Sequence, residues 1–375
     1  MSGGDGAGAS APAGSGTPGG CARILIVQTS FLGDVVLSTP VFAAVRRHYP
    51  DAHLAVLVRP ECAGVLRGHP AIDAVLIDDK RGRDGGFGAV RTVRRLRAGR
   101  FDLVLSLHKS LRTAWVLAAA RIPRRVGFRK SAGWFLYHRT VPRDPTRHDV
   151  ERNLSLLAGI GIDPASVVSR PSLACTAEAA ERVARLLADR AVPVGLPLVG
   201  VAPGSVWATK RWTVEGFAAL LRALRDDMHV VPVLLGARGD MEYAAAIQQA
   251  AGHAAVDLVG QTDLEVLVAA IDRCRVLVCN DSAPMHIAVA RDVPVVAIFG
   301  PTTLRQGYGP YTDRAIVVER DLPCRPCGRH GGARCPIGTH ACMRDITPHE
   351  VLQAVATLLV RGGSATGAAA PRGTA

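Results

Sequence analysis

The sequence predicts an α/β protein built from two similar doubly wound halves, each a parallel sheet with helices on both faces. Three observations carry this. Short apolar runs fit to be buried strands alternate with helical stretches, the pattern of parallel βαβ units. The alternation loosens from about Asp163 to Pro197, where Pro and Gly punctuate the chain, and then restarts. The chain's 375 residues also exceed the usual single core, so about two domains are expected.

In order, "RILIVQ" (Arg23 to Gln28) reads as the first strand and "DVVLSTPVFAAVRRHY" as the helix after it. "HLAVLV" and "AVLID" read as strands, "TVRRLRAGR" as a basic helix, "FDLVLSL" as a strand and "RTAWVLAAARI" as a helix. The second half opens with the strand "LVGVAP" and a helix over "VEGFAALLRALRDD". The strand "VVPVLLG", another helix, "AVDLVG", the helix "LEVLVAAIDR" and the strands "VLVCN" and "VPVVAIFG" follow, and the helix "PHEVLQAVATLLV" closes the fold. The expected organisation is a tail at 1–20, an N-terminal domain at 21–170, a linker region at 171–197, a C-terminal domain at 198–361 and a tail at 362–375. Open parallel sheets bind ligands at the carboxyl ends of their strands, and in two facing halves those ends border one cleft.

The first twenty residues have neither a charged n-region nor an apolar h-region, so they read as a flexible tail and not as a signal peptide. No run approaches the roughly 18 apolar residues of a membrane span. A cytoplasmic protein with mostly reduced cysteines is therefore expected. Net charge is +13, and the stretch from Lys80 to Lys130 alone holds fifteen Lys/Arg against Asp84 and Asp102. That is either an Arg-biased solvated surface or a positive half that meets an anionic partner. Nucleic acid is not expected, because no recognition motif appears.

Four blocks carry candidate chemistry. In "QTSFLGDVVLSTP", Gly33 permits a tight turn and Asp34 opens a helix. A carboxylate there can cap free N–H groups, or can project from the strand end as a general base. The helix N-terminus lowers its pKa, so burial has to offset that if it is to be a base. In "VAPGSVWATKRWTVEGF", Lys210 and Arg211 precede a helix capped by Thr213, and adjacent cations between strand and helix suit a diphosphate. "VLVCNDSAPMHIAVA" delivers Asn280, Asp281 and Ser282 to a helix starting near Pro284, with Asp or Ser as its cap. The N–H groups of that first turn form a phosphate cradle. His286, one turn in, is either structural or a ligand contact. "FGPTT" adds the hydroxyls of Thr302 and Thr303 beside the same cleft.

Together these blocks resemble, in order and spacing from about Arg23 to Val360, the signature blocks of the ADP-heptose:lipopolysaccharide heptosyltransferases, and most of all their type II branch. The resemblance implies a GT-B glycosyltransferase fold, two Rossmann-like domains with the sugar nucleotide mainly on the C-terminal one. It implies inverting, metal-independent transfer without a cofactor. The donor would be ADP-L-glycero-D-manno-heptose, and the acceptor the first heptose of the lipid-linked lipopolysaccharide inner core. That places the enzyme peripherally at the inner face of the inner membrane. By the same resemblance Asp34 is the general base, and Lys210 holds the diphosphate and stabilises the leaving ADP. Arg211, Asp281, Ser282, Ala283, His286, Thr302 and Thr303 bind the nucleotide sugar, with Glu242 on the ribose and Asp240 close behind. Ser30, Lys109, Arg112 and Arg129 are the acceptor-side candidates. Ala283 stands where the family usually has Gly, Thr213 replaces a common proline, and Lys109 replaces a neutral amide. A type I enzyme, another GT-B transferase or a non-catalytic scaffold on anionic lipid are the competing readings.

Cys324, Cys327, Cys335 and Cys342, spaced C-x2-C-x7-C-x6-C beside His330 and His340, stand apart from these blocks. Structural zinc, thiols packing or lining the site, and a redox role are all open at this level.

Overall fold

The computed structural model describes residues 21–80 and 88–364; the tail expected at 1–20 and nearly all of that at 362–375 lie outside the described residues. The N-terminal half runs β1 (Arg23–Val27), α1 (Leu32–Val36), α2 (Thr39–His48), β2 (His53–Val58), β3 (Ala74–Ile77), α3 (Gly88–Ala98), β4 (Leu103–Ser106), α4 (Leu111–Ala119), β5 (Arg124–Phe128), β6 (Arg139–Val141) and α5 (Asp149–Leu154). After α6 (Ala177–Ala188) come β7 (Leu198–Ala202), α7 (Val214–Asp227), β8 (Val231–Leu234), α8 (Met241–Ala251), β9 (Val256–Asp257) and α9 (Leu264–Asp272). The chain closes with β10 (Cys274–Asn280), α10 (Ala283–Ala290), β11 (Val295–Phe299), β12 (Ala315–Glu319), α11 (Ala341–Arg344) and α12 (Pro348–Ser364).

The sheet orders are β3-β2-β1-β4-β5-β6 and β9-β8-β7-β10-β11-β12, with every pairing parallel. The two halves thus share one doubly wound topology. Each order reverses once, between β1 and β4 and between β7 and β10, and a crevice opens at such a switch point. The central strands are apolar along their whole length because both faces are covered by helices. One buried apolar cluster runs without a break from β1, α1 and α2 into α9, α10 and β10, so the halves share their inner layer. Separate clusters fill the outer faces, under α3 and α4 in one half and under α7, α8 and α12 in the other.

Three local expectations change. The single helix expected over 34–49 is two helices, because Pro40 has no N–H to give and Ser38 Oγ instead donates to the Asp34 carbonyl at 2.6 Å. Gly33 lies inside α1 and not in a turn. The stretch expected as linker carries α6, which is capped by Thr176 and packs on α9.

Candidate active site

Two cavities meet between the halves. One, of about 760 Å³, is walled mainly by N-terminal residues, among them Thr29, Ser30, Lys80, His108, Lys109 and Arg143. The other, of about 730 Å³, lies on the C-terminal sheet and is lined by Lys210, Arg211, Asp240, Asp281, Ser282 and His286. Each is large enough for a ligand of nucleotide or disaccharide size. Asp34, Phe31, Tyr308, Arg329 and His330 line both. Asp34 therefore sits where the contents of one cavity would touch those of the other.

The Asp34 carboxylate makes the local capping contact its position allowed. It accepts a hydrogen bond from the Phe31 amide at 3.1 Å, as a helix-capping group would. Its pKa is nevertheless raised to about 6. Desolvation is the largest cause, followed by the negative charge of Asp149, and these outweigh the lowering by the Phe31 amide, Lys109 and Arg143. Asp149 is buried in an ion-pair network: Arg143 pairs with it closely, Arg152 stands 3.6 Å away and Asn153 donates to it at 3.2 Å.

Across the junction, Lys210 Nζ lies 2.5 Å from Asp281 Oδ2, and Thr302 Oγ1 donates to the same oxygen at 2.6 Å. Lys210 and Asp281 are both largely buried, so a diphosphate entering here meets a preformed ammonium and competes with one carboxylate for it. Arg211 is held by the Ser205 carbonyl, by Asp240 at 3.9 Å and over the Tyr243 ring. Asn280 is a strut between loops: its amide donates to the Pro203 carbonyl at 2.7 Å and accepts from the Trp212 amide at 3.1 Å. Trp212, fully buried, fixes the other end of the Lys210 loop through its indole N–H to the Ile346 carbonyl. Its burial is worth roughly 2–3 kcal/mol. Thr213 caps α7, accepting from the Gly216 amide.

The first turn of α10 begins at Ala283 with Pro284 as its second residue, and neither Asp281 nor Ser282 caps it with a side chain. Ser282, Ala283 and Pro284 line the C-terminal cavity, and a helix N-terminus favours an anion. His286 is buried, its pKa lowered by desolvation to about 4, and its Nδ1 has no hydrogen-bond partner among the described residues. The ring abuts Gly33: a Cβ there would stand 2.9 Å from His286 Cδ2. Glycine at 33 is thus required by the close approach of α1 to α10.

The remaining candidates divide. Ser30 and Lys109 line the N-terminal cavity, and Ala283, Thr302 and Thr303 the C-terminal one. Glu242 lies on the exposed side of α8 outside both linings, and Asp240, two residues earlier, lines the C-terminal cavity instead. Arg112 is committed to a two-point pair with the buried Asp78, at 2.6 and 3.1 Å, and Arg129 is exposed; neither lines either of these two cavities. Sequence reasoning passed over Asp149, Arg143, Tyr308 and Arg329, and named His330 only as a neighbour of the cysteines. The last two come from the cysteine segment. That segment is tied to the site by Gly332 to Thr209 Oγ1 (2.8 Å), His340 to the Thr209 carbonyl (2.8 Å) and Cys327 to the Pro301 carbonyl (2.9 Å). All nine cysteines are free thiols, and among the described residues no group of three or more Cys, His, Asp or Glu is arranged to hold a metal ion.

Two Rossmann-like domains that face a shared cleft, with Asp34 on one side and the Lys210–Asp281 pair on the other, have the GT-B glycosyltransferase fold. Residues 89–334 match the model of glycosyltransferase family 9 (heptosyltransferase), and the chain belongs to that family. It is 28% identical over 356 residues to the lipopolysaccharide heptosyltransferase 2 of Salmonella typhimurium, covering 91% of this chain and 99% of the relative. Among solved structures it resembles a family 9 glycosyltransferase from Veillonella parvula, with TM-score 0.78, 26% identity, and 90% and 97% of the two chains covered. It also resembles the ADP-heptose lipopolysaccharide heptosyltransferase II of Escherichia coli, with TM-score 0.75, 25% identity, and 91% and 99% covered.

Proposed function

We propose that this glycosyltransferase moves L-glycero-D-manno-heptose from ADP-heptose to the first heptose of the lipopolysaccharide inner core, with inversion and without a metal. The donor lies in the C-terminal cavity, with its diphosphate between Lys210, Arg211 and the first turn of α10. The acceptor lies in the N-terminal cavity against Ser30 and Lys109. The Asp34 carboxylate takes the proton of the acceptor hydroxyl, whose oxygen attacks the anomeric carbon from the face opposite the diphosphate. The bond from that carbon to the phosphate oxygen breaks, and ADP leaves with the electron pair. Charge builds on the diphosphate in the transition state, so fixed cations and amides aimed there lower the barrier. They supply the role a divalent ion has in other transferases.

One observation supports this reading above the rest: Asp34 lines both cavities with a pKa near 6. Such a carboxylate is ionised at neutral pH yet remains a stronger base than an ordinary Asp. The Salmonella and E. coli relatives, named for heptosyltransferase II activity, support the choice of donor and acceptor. The test is ADP release with a heptosylated acceptor in the presence of a chelator. Asp34→Asn should lower turnover by about 10²–10⁴-fold while leaving ADP affinity within a few-fold of wild type. Unchanged turnover would remove the base assignment, and loss of activity on chelation would remove the metal-free one.

A further inference from the structure

We propose that an exposed aromatic face on the N-terminal half, formed by Leu111, Trp115, Trp134 and Phe135, is a docking surface for an anionic lipid bilayer. These side chains keep 49%, 50%, 54% and 61% of their surface open to solvent. Leu111 and Trp115 are four residues apart on α4 and so share one side of it. Trp134 and Phe135 stand on the 3₁₀ turn 134–136, which packs on α4 because Gly133 has no Cβ to collide with Ala114. Their rings meet edge to face at 6.2 Å. Single exposed apolar residues are ordinary, but four gathered on one face mark a partner.

Charge identifies the partner. From residue 103 to residue 143 the chain holds nine Lys/Arg and no Asp or Glu. Arg129, Lys130 and Arg139, all exposed, flank the aromatic turn in sequence. A second copy of this chain docked face to face would set cations against cations, so the occupant carries negative charge. Tryptophan rings set among arginines suit the boundary between hydrocarbon and phosphate headgroups.

The position of the face adds a reason for it. Lys109 and Ser110 line the N-terminal cavity, Leu111 follows directly, and the Ala132 amide, just before the aromatic turn, donates to the Lys109 carbonyl at 3.1 Å. On the reading proposed above, a lipid-anchored acceptor would present its sugar at that cavity while its acyl chains stay in the bilayer. That link rests on the proposed function; the docking surface itself rests on exposure and charge.

The experiment uses vesicles of equal parts phosphatidylglycerol and phosphatidylcholine, with pure phosphatidylcholine as the control. The full chain should co-sediment with the anionic vesicles and not with the neutral ones, and brominated acyl chains should quench its tryptophan emission. The Trp134→Ser, Phe135→Ser double variant should melt as wild type does and bind about tenfold or more weakly. It should keep its turnover on a lipid-free acceptor and lose it on a vesicle-embedded one. Failure of the wild type to bind, or equal binding by the double variant, overturns the proposal. So does a concentration-dependent dimer abolished by the double variant, which would assign the face to a second copy. Vesicle binding without heptosyl transfer keeps the surface and removes the enzymatic reading; transfer without vesicle binding does the reverse.

Discussion

At the scale of single residues, the competition at Asp34 decides the chemistry. A helix terminus and two cations pull its pKa down, while desolvation and Asp149 push it up, and the outcome near 6 shows that burial wins. The sign of the stability effect follows. Because the folded state binds this proton more tightly than the unfolded chain, ionising Asp34 costs folding free energy that is absent below about pH 4 and complete above about pH 6. Asp34→Asn should therefore stabilise the protein by on the order of 2–3 kcal/mol at pH 8 and by little at pH 3.5, read by denaturant unfolding at both values. Equal effects at the two would show that the carboxylate is not desolvated. Asp149→Asn acts on the same group from outside. Removing that charge, and with it the main partner of Arg143, lowers the Asp34 pKa by two routes of one sign. The acid limb of the kcat/KM profile should move below pH 6, and an unmoved or raised limb would mean that Asp34 does not set it.

At the scale of elements, α1 and α10 matter most. Each follows a strand at its sheet's switch point, one bearing the acid and the other the turn proposed to bind the anion, and they touch at Gly33 and His286. Gly33→Ala forces that contact to change, because the methyl would stand 2.9 Å from the buried His286 ring and one of the two must shift. Overpacking of this kind costs about 1–3 kcal/mol. Since the two helices carry the reacting groups, turnover should fall by roughly 10²-fold, with a smaller change in ADP affinity. Turnover near wild type would show that the two helices tolerate separation. Much of this architecture was legible beforehand, because strands buried on both faces, such as "RILIV" and "VVAIF", read as unbroken apolar runs. Three outlying strands were not. β5 opens with Arg124 and Arg125, β6 is three residues long and β12 is half-buried, so none shows a clean apolar run. The break at Ser38 was signalled by Pro40 but masked by the helical pattern around it. The residues around Asp34 were legible only in part, since Asp149 and Arg143 reach it from segments more than a hundred positions away, with no motif of their own.

At the scale of the whole molecule, two copies of one topology are joined by a shared inner core and by a second seam. In that seam the His148 ring meets the Gly309 carbonyl, the Asp149 amide donates to the Gly307 carbonyl, and the Arg152 guanidinium to the Gln306 carbonyl. The seam also anchors Asp149, whose charge helps raise the Asp34 pKa, to the C-terminal half through its amide, so the contact between halves holds one of the charges that tune the base. A ligand confined to the C-terminal cavity should therefore be felt in the N-terminal half. Saturating ADP stabilises the state that binds it by mass action, about 2.7 kcal/mol at a hundredfold excess over Kd. Hydrogen exchange should slow around 203–213 and 280–288, which carry the donor-side loops. It should slow as well over 32–38, whose first residues edge the donor cavity, and over 147–153, which lies outside that cavity but bonds to the segment 306–309. The protection at 32–38 should weaken in Gly33→Ala while that at 280–288 persists. Protection confined to the C-terminal half in the wild type would mean that the two domains answer the nucleotide independently, and that Asp34 is positioned without reference to the donor.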